Sequence, residues 1–478
     1  MLEKEFLSLV EKLQQTKSED QTLEVKRALE GCPKRLYDSL SSFSNQDTGG
    51  IIIFGLDEKT EFSITGVYDA NDLQKKIMEQ CKQMEPRVNA LISVFNIDGK
   101  NLVCAEIPGM DIFDRPCYYR GVGKLKGSYT RIGDADAAMT EYEVYTYEAY
   151  KKRYQDDKRV IEGVTLDMAI NKTKLDRYIG LLKENKPNIA QISDANIYNT
   201  MSITKDGVPT LASILLFGHY PQAHLPQLCI VATSIPGTQM GVIDKEGARF
   251  VDNKRIEGTI SDMLDGAITF VKNNMRVKTI IDPVTGKRND KTEYPLTAIR
   301  EILLNALVHR DYSIHTEGQP IQITMYEDRI EIINPGGLYG QLKIETLGKK
   351  QGDTRNPVIA TALEVLKVTE NRYSGIPTIR REVNEWGHLE VEFVDKRDSF
   401  EVKIYKRMEA NNNSDETTRL LNFCKKPRSK EEIAEFLGIK TVSYAVKAYV
   451  KPLLEEGSLL MKYPENPGSH SQMYYTNK

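Results

Sequence analysis

The first residues with chemical meaning are acidic groups in the N-terminal part of the chain. Glu19, Glu24 and Lys26 flank a short extended stretch, and Asp57 follows a β-branched run that ends at Gly55. If the two stretches form neighbouring strands, the carboxylates of Glu24 and Asp57 lie at adjacent strand ends. Carboxylate oxygens suit Mg²⁺ and Mn²⁺, and a nearby lysine can stabilise charge that develops on a phosphate. Carboxylates so placed could therefore hold a metal ion, with Lys26 close enough to assist.

Other interpretations of these residues stay open. Glu58 competes with Asp57 for the position of the third carboxylate. Glu24 and Lys26 could instead form a surface pair beside a strand, and the following glycines could do no more than make a turn. Arg131 and Lys26 could also bind a phosphate without any metal. A nuclease needs the carboxylates, whereas a protein that only binds nucleic acid needs positive charge here.

A second candidate site centres on a predicted helix over 295–309. Glu301, Asn305 and His309 follow one another at intervals of four residues, so they share one helix face and could share one ligand. The alternative is that Asn305 and His309 cap neighbouring backbone groups in a satisfied interior.

The C-terminal segment has the spacing of a helix-turn-helix. Ser429 and Glu432 form a capping box at the start of a helix over 430–437, and Thr441 can cap the next helix after a short turn. Two short predicted strands follow. This order predicts a winged helix-turn-helix over 419–478.

Outward residues of this module are its expected nucleic-acid contacts. Ser443, Tyr444 and Lys447 are expected in a major groove, and Lys440 and Lys462 on phosphates. Residues 415–478 hold ten Lys and Arg against eight Asp and Glu, so the module brings few phosphate contacts. A protein partner is therefore the alternative, because winged helices also serve as protein–protein modules.

The elements that position these sites follow from the hydrophobic periodicity, which predicts a multidomain protein of α/β and α+β type. The N-terminal part is expected to have helices over 2–15, 37–43, 71–84 and 139–154 and strands over 22–26, 51–54, 103–107 and 128–132. The central part is expected to place helices on one mixed sheet, with helices over 172–183, 258–274, 295–309, 356–367 and 375–385 and strands over 211–217, 228–233, 320–325, 329–333, 388–393 and 399–406.

Length and composition limit the possible functions. With 478 residues the chain exceeds what one core usually organises. The predicted division is 1–155, 156–408 with a core at about 285–406, a linker at 409–418, and 419–478. No apolar run is long enough to cross a bilayer, and the charged N-terminus lacks the pattern of a signal peptide, so a cytoplasmic location is expected. The net charge of −3 requires any nucleic-acid contact to be local. The six cysteines are scattered, which argues against disulfides and zinc knuckles.

Residues 5–145 resemble the Schlafen AlbA-like family. The resemblance rests on the Glu19/Glu24/Lys26 spacing and on the segments SSFSNQDTGGIIIFGLDE (41–58), RPCYYRG (115–121) and SYTRIGDADAAMT (128–140). In the animal Schlafens that cleave RNA, two glutamates and a later acidic residue form a metal site, which implies Glu19, Glu24 and Asp57 here. Bacterial members are more often described as DNA-binding transcriptional regulators with no cleavage assigned.

The central part resembles the divergent GHKL-type ATPase domain that often follows AlbA-like domains and is related to the carboxy-terminal part of RecG-type proteins. The resemblance covers roughly 285–406 and rests on the run Glu301–Tyr312 with IEIINPGGL (330–338), TRNPVIA (354–360) and YSGI (373–376). It implies a GHKL-like α/β two-layer sandwich. In such ATPases the helix glutamate activates the attacking water and the asparagine holds Mg²⁺, which implies these roles for Glu301 and Asn305.

The glycine motifs depart from the family pattern. The usual Asp-x-Gly-x-Gly is replaced by Asn334-Pro335-Gly336-Gly337, and the phosphate lid is shortened to Ser374-Gly375. Asparagine can still pair with adenine, but a short lid holds a triphosphate less firmly. We therefore expect ATP or ADP with Mg²⁺ to bind more readily than ATP is hydrolysed. The expected nucleotide-binding residues are Asn305, His309, Asn334, Gly336, Gly337, Ser374 and Gly375.

Together these features predict a bacterial-type DNA-binding transcriptional regulator with a nucleotide-sensing central region. The rival is a Mg²⁺- or Mn²⁺-dependent nuclease that acts on RNA or DNA, and a further alternative is an interaction scaffold with decayed sites. DNA is expected over RNA, and a homo-dimer or higher homo-oligomer is expected by analogy with winged helices and GHKL proteins.

Overall fold

The computed structural model describes most of the chain. The described residues are 1–281, 288–350, 352–369, 374–387, 389–406, 414–439, 441–465, 469 and 472–476. The predicted α/β multidomain fold is confirmed, because mixed sheets and helices build several separate hydrophobic cores. No helix of the described ranges is long and apolar enough to span a membrane. Lys440 and residues 409–413 of the predicted linker lie outside the described residues.

The N-terminal region is built on a four-stranded sheet. Its strands are, in spatial order, Leu23–Lys26, Gly50–Phe54, Lys100–Ile107 and Leu91–Ile97. The first pair is parallel and sets Glu24 opposite Ile52, while the other pairs are antiparallel. Successive side chains on a strand point to opposite faces, so Ile52 and Ile53 enter different cores. The helix Glu3–Thr16 covers one face, and helices Tyr37–Ser44 and Ala70–Lys82 cover the other.

Two further elements of this region matter for the site. The predicted strand 128–132 is present as Tyr129–Ile132, but it pairs with Ala135–Ala138 in a hairpin rather than joining the sheet. The predicted helix 139–154 is the helix Glu141–Lys151, which we call the bridging helix. Thr140 caps it by accepting a hydrogen bond from the backbone N–H of Glu143.

The central region contains a six-stranded sheet. Its strands are, in spatial order, Asp252–Ile256, Ile230–Ser234, Ile321–Met325, Arg329–Pro335, Ser399–Lys406 and Leu389–Asp395. Alternate residues such as Ile321, Ile323, Ile330 and Ile332 enter one large core. The helices around this core include Ile260–Asn274, Leu296–His309, Pro357–Val365 and Gly375–Glu385. This is the predicted two-layer arrangement. We call Leu296–His309 the central helix.

The predicted strand over 211–217 is wrong, because these residues form the helix Leu211–Phe217. The hydroxyl of Thr210 caps the helix by accepting the backbone N–H of Ser213. All seven helical residues are buried, so their sequence shows neither the helical nor the strand period. Periodicity cannot separate a short buried helix from a buried strand.

The C-terminal region has its own small core around Leu420, Ile433, Val450 and Tyr474. The helix Lys430–Phe436 starts at the predicted capping box of Ser429. The following stretch, 442–455, is helical throughout and contains a π-helical turn at Val446–Val450. Pro452 has no N–H to donate in this helix, which accounts for the irregular turn. Helix Ser414–Phe423 and strands Arg428–Ser429, Leu459–Met461 and Met473–Thr476 complete the region. The winged-helix class stays a prediction.

Short elements connect these parts. The remaining helices are Lys124–Gly127, Leu166–Ala169, Lys172–Asn185 and Asp194–Thr200, and the remaining strands are Leu56–Asp57, Ser63–Ile64, Met84–Glu85, Tyr118–Tyr119, Thr204–Lys205, Val208–Pro209, Val277–Ile281 and Arg288–Thr292.

Candidate functional site

Arg131 lies at the centre of the acidic residues of the N-terminal region. Its Nη1 is 2.8 Å from Glu24 Oε2 and 2.9 Å from Asp136 Oδ1, and its Nη2 is 3.8 Å from Glu19 Oε2. Only 1% of the Arg131 side chain is exposed, and its guanidinium lies 5.0 Å from the ring centroid of Phe43. A buried carboxylate is costly unless it is paired, so Arg131 is the internal counter-ion of this group. We call Glu19, Glu24, Arg131 and Asp136 the acidic cluster.

Neighbouring polar groups complete the pairing of the acidic cluster. The hydroxyl of Ser39 lies 2.9 Å from Glu24 Oε1 and 2.8 Å from Asp136 Oδ2. Lys26 forms an ion pair with the same Glu24 oxygen. Glu24 is therefore a buried network residue, and the alternative of a surface pair with Lys26 is wrong.

Burial changes the proton affinity of two of these groups. Desolvation raises the pKa of Glu19 to about 7, although the backbone N–H of Val25 donates to its carboxylate and lowers it. Burial lowers the pKa of Lys26, but the nearby Glu24 carboxylate more than offsets this, so the net shift is upward. Glu19 is thus the member of the cluster that exchanges a proton near neutral pH.

The acidic cluster in this arrangement does not fit a divalent metal ion. The Arg131 guanidinium occupies the position between the Glu24 and Asp136 carboxylates that a cation would take. Asp57 is not a member, since it accepts the backbone N–H of Lys59 and its Oδ2 lies 3.6 Å from Arg27 Nε. Within the described ranges, no group of three His, Cys, Asp or Glu side chains is arranged to hold a metal.

Two predictions for this region therefore need correction. The metal site of Glu19, Glu24 and Asp57 is not assembled here, and Glu58 does not complete it either. Arg131 is buried in the acidic cluster, so its guanidinium is not available for the predicted contact with nucleic acid. Asp136, which sequence reasoning missed, is the acidic residue that joins Glu19 and Glu24.

A cavity of about 580 Å³ lies between the central helix, the sheet and the helix Gly375–Glu385. Residues from several separated stretches of sequence meet there. The predicted nucleotide-site residues that line it are Glu301, Asn305, His309, Asn334, Gly336, Gly337, Ser374 and Gly375.

The helix start at Gly375 approaches the central helix closely. A Cβ atom on Gly375 would lie 3.1 Å from Asn305 Nδ2 and 3.1 Å from Glu301 Oε2. Glycine therefore allows the backbone to reach the two polar side chains that were predicted to act on a nucleotide. Asn305 and Glu301 are themselves half-buried.

The segment Asn334–Gly337, which we call the glycine turn, forms another wall of the cavity. Asn334 is 6% exposed, and its Oδ1 has no hydrogen-bond donor among the described residues. Gly336 has φ +94°, and a Cβ there would lie 2.3 Å from Arg355 Nη1. A buried acceptor without a donor is rare in a folded protein, so Asn334 Oδ1 is available to an N–H donor.

His309 is a neutral group at this site. Its side chain lines the cavity and keeps exposed surface there, while desolvation by the surrounding protein, together with the positive charge of Arg355, lowers its pKa to about 4. At neutral pH the ring can therefore both donate and accept a hydrogen bond.

The predicted C-terminal contacts differ in exposure. Ser443 and Lys447 are exposed, Tyr444 is half-buried, and Lys462 is exposed next to the Tyr463 ring. Lys447 Nζ lies 3.2 Å from Glu390 Oε1 on the edge strand of the central sheet. Lys447, one of the predicted nucleic-acid contacts, thus already has an acidic partner in the central region.

A surface of aromatic and cationic residues on the N-terminal region was missed by the sequence reasoning. The rings of Tyr37 and Tyr119 stack with centroids 4.4 Å apart, and the Arg35 guanidinium lies 5.2 Å from the Tyr37 centroid. Arg120 and Lys126 are exposed beside them. We call these five residues the tyrosine face. The run RPCYYRG, which contains two of them, was the available signal.

Two segments match known protein families. Residues 19–140 match the family described as "Schlafen, AlbA_2", and residues 318–404 match the family described as "Putative ATP-dependent DNA helicase recG C-terminal". The acidic cluster and the glycine turn each lie in one of these segments. The matches indicate a nucleic-acid-related protein with an ATPase-type region.

Solved structures give weaker likenesses. The DIP2311 protein from Corynebacterium diphtheriae is 16% identical with a TM-score of 0.39, and 98% of this chain and 96% of that chain are covered. The N-terminal domain of a RecG-related protein from Nitrosomonas europaea is 23% identical with a TM-score of 0.23, and 28% of this chain and 92% of that chain are covered. No protein of curated function matches the chain.

Proposed function

We propose that this chain, with its Schlafen AlbA_2 segment and its RecG C-terminal-type segment, is a DNA-binding transcriptional regulator whose central region binds an adenine nucleotide. One observation carries the proposal. Eight residues selected from three separated motifs line the same cavity of about 580 Å³. Ligand cavities in proteins commonly have volumes of about 300–1,000 Å³ and a few converging polar groups.

The polar groups of the cavity suit the two ends of an adenine nucleotide. Asn334 Oδ1 is a buried acceptor without a donor in the described part of the chain, and the exocyclic amino group of adenine supplies an N–H. Asn305 offers an amide oxygen to Mg²⁺, which would neutralise phosphate charge when bound. Glu301, one helical turn earlier, would accept a proton from a water molecule. The short lid at Ser374-Gly375 favours binding without rapid hydrolysis.

We assign the binding of nucleic acid to exposed cationic side chains rather than to the acidic cluster. Arg35, Arg120 and Lys126 of the tyrosine face and Lys447 and Lys462 of the C-terminal region are the groups that would contact phosphates. Because the net charge is −3, these local surfaces must supply the positive potential. A homo-dimer completes the proposal, and light scattering of the purified chain tests it.

A melting experiment tests the nucleotide site. ATP or ADP with Mg²⁺ at 100 times its dissociation constant should stabilise the folded chain by about 2.7 kcal/mol. Asn305→Ala should abolish the shift, whereas Asn196→Ala, an exposed helical asparagine away from the cavity, should keep it. GTP should shift the melting less, because guanine presents an oxygen where adenine presents its amino group. No shift with either adenine nucleotide would overturn the proposal.

The nuclease and scaffold alternatives give different results in a parallel assay. Labelled DNA duplex and structured RNA are incubated with the chain, with and without Mn²⁺. Binding of DNA without cleavage supports the regulator. Cleavage that Glu24→Ala abolishes supports the nuclease, and a lack of binding to either nucleic acid or nucleotide supports a scaffold.

A further inference from the structure

The glycine turn is held from both sides by charged residues. The Gly337 carbonyl accepts a hydrogen bond from Arg355 Nη2 at 3.2 Å, and the Gly337 N–H donates to the Arg397 carbonyl at 3.1 Å. The Gly336 N–H donates to the Asp398 carbonyl at 2.7 Å. A wall of the candidate nucleotide cavity is therefore bonded directly to two arginines, to Arg355 through its guanidinium and to Arg397 through its backbone carbonyl.

The first arginine connects the glycine turn to the bridging helix. Arg355 Nη1 lies 3.1 Å from Asp311 Oδ2, and the hydroxyl of Tyr142 donates to the same oxygen at 2.6 Å. Asp311 is 2% exposed, and although burial raises its pKa, the positive charge of Arg355 lowers the pKa below its usual value. Tyr142 belongs to the bridging helix, so this route leads from the turn to the N-terminal region.

The second arginine connects the glycine turn to the acidic cluster. Arg397 Nη2 donates to the backbone carbonyl of Arg131 at 3.4 Å, and Arg397 Nη1 lies 3.1 Å from Glu143 Oε1. Arg131 is the counter-ion of Glu24 and Asp136. The route therefore ends at the residue that holds the acidic cluster together.

We propose that the glycine turn transmits occupancy of the central cavity to the bridging helix through the Arg355–Asp311–Tyr142 contacts and to the acidic cluster through the Arg397–Arg131 contact. The inference rests on the proposed nucleotide site. A ligand that contacts the glycine turn must either preserve or shift the bonds that the turn makes with Arg355 and Arg397. Packed contacts of this kind have discrete arrangements rather than a continuous range, so a small shift at the turn is passed on.

Hydrogen exchange measured on the full-length chain tests the route directly. Addition of ADP or a non-hydrolysable ATP analogue with Mg²⁺ should change exchange by about fivefold or more in peptides covering 128–147. Tyr142→Phe removes one hydroxyl outside the cavity, and it should reduce this change while the nucleotide-induced melting shift persists. Tyr220→Phe is the matched control, because it removes a hydroxyl bonded to Glu257, outside both routes. It should behave as wild type.

Arg397→Gln provides a second variant in case Tyr142→Phe does not fold. Its side chain is 45% exposed, and the substitution removes the contacts with Arg131 and Glu143. Exchange over 128–147 that responds to nucleotide equally in wild type and in both variants overturns the route. A melting shift without any exchange response in wild type also overturns it and leaves the nucleotide site standing. Absence of the melting shift overturns the proposed function and the route together.

Discussion

At the scale of single residues, we expect a substitution of Arg131 to lower the free energy of unfolding strongly. Arg131→Met would leave the buried carboxylates of Glu24 and Asp136 without their counter-ion. We expect a loss of about 3–5 kcal/mol in the free energy of unfolding, measured by denaturant titration. Adding Glu24→Gln to this variant should restore part of the loss, because it removes one unpaired charge.

An exposed arginine provides the control for that prediction. The Arg35 side chain is 61% exposed and pairs with Asp38, so Arg35→Met should leave the unfolding midpoint close to that of wild type. If Arg131→Met were equally harmless, Arg131 would not be the internal counter-ion.

Glu19 makes stability depend on pH. Its pKa rises from 4.5 to about 7 in the folded chain because burial disfavours the charged carboxylate. The folded state thus keeps a proton that the unfolded state loses. The resulting stabilisation is complete below about pH 4.5 and disappears as the pH rises towards 7. Glu19→Gln should therefore gain stability relative to wild type over this range, by on the order of 3 kcal/mol. Unfolding titrations at several pH values measure the difference, and parallel curves for the two proteins would contradict the prediction.

The acidic cluster shows which of its members could be predicted from the sequence and which could not. Glu19 and Glu24 were predicted together and do meet at one cation. Asp57 was chosen as the third carboxylate because it follows the neighbouring strand, but the end of that strand carries it to Arg27. Asp136 takes the third position because the hairpin register sets it opposite Arg131. Strand pairing decides such neighbours, and the linear spacing of carboxylates does not show it.

At the scale of elements, Gly336 in the glycine turn can be tested by a matched pair of substitutions. Gly336 has φ +94°, and an added Cβ would meet Arg355 and Asp311 at 2.3 and 2.5 Å. Gly387 has φ +80°, but nothing lies within 4 Å of its added Cβ. Both Gly→Ala variants carry backbone strain of about 1–2 kcal/mol, whereas only Gly336→Ala also carries a clash. Gly336→Ala should therefore be the less stable variant and should lose the nucleotide-induced melting shift. Equal stabilities would show that the turn can relax.

The elements themselves were predicted with uneven success, for physical reasons. The central strand Arg329–Pro335 buries alternate residues from Ile330 to Asn334, and its period of two was visible in the sequence. The edge strand Asp252–Ile256 was missed, because four of its five residues are exposed and polar. Leu211–Phe217 was assigned to the wrong class, because complete burial removes any period. A fully exposed strand and a fully buried helix therefore lacked the period by which the sequence could identify them.

At the scale of the whole molecule, hydrogen bonds and ring contacts cross the predicted domain boundary near residue 155. The bridging helix lies before that boundary, yet Tyr142 donates a hydrogen bond to Asp311 and Tyr150 donates one to Asp353. The rings of Tyr150 and Tyr339 also lie 5.2 Å apart. These partners are more than 150 residues apart in sequence. No role was assigned to the tyrosines of this helix from the sequence, since the charge and aromatic pattern of one segment cannot identify partners so distant.

The last prediction concerns the C-terminal region and its docking on the central sheet. Lys447 and Glu390 are 71% and 45% exposed, and an exposed ion pair contributes only about 0–1 kcal/mol. Duplex DNA should therefore displace Glu390 from Lys447 easily. We expect Glu390→Ala to raise duplex affinity by no more than about fivefold, and Lys447→Glu to weaken it. Fluorescence anisotropy of a labelled duplex at several salt concentrations measures both effects.

The control for this prediction lies two residues along the same strand. Glu392→Ala removes an equal charge, but in the described region Glu392 accepts a hydrogen bond from the Tyr405 hydroxyl, whereas Lys447 pairs with Glu390. If Glu390→Ala and Glu392→Ala raise affinity equally, general repulsion of DNA by the sheet edge explains the gain. About three phosphate contacts would give a log–log salt slope near −3. Unchanged binding by Lys447→Glu would place the DNA site on the tyrosine face instead.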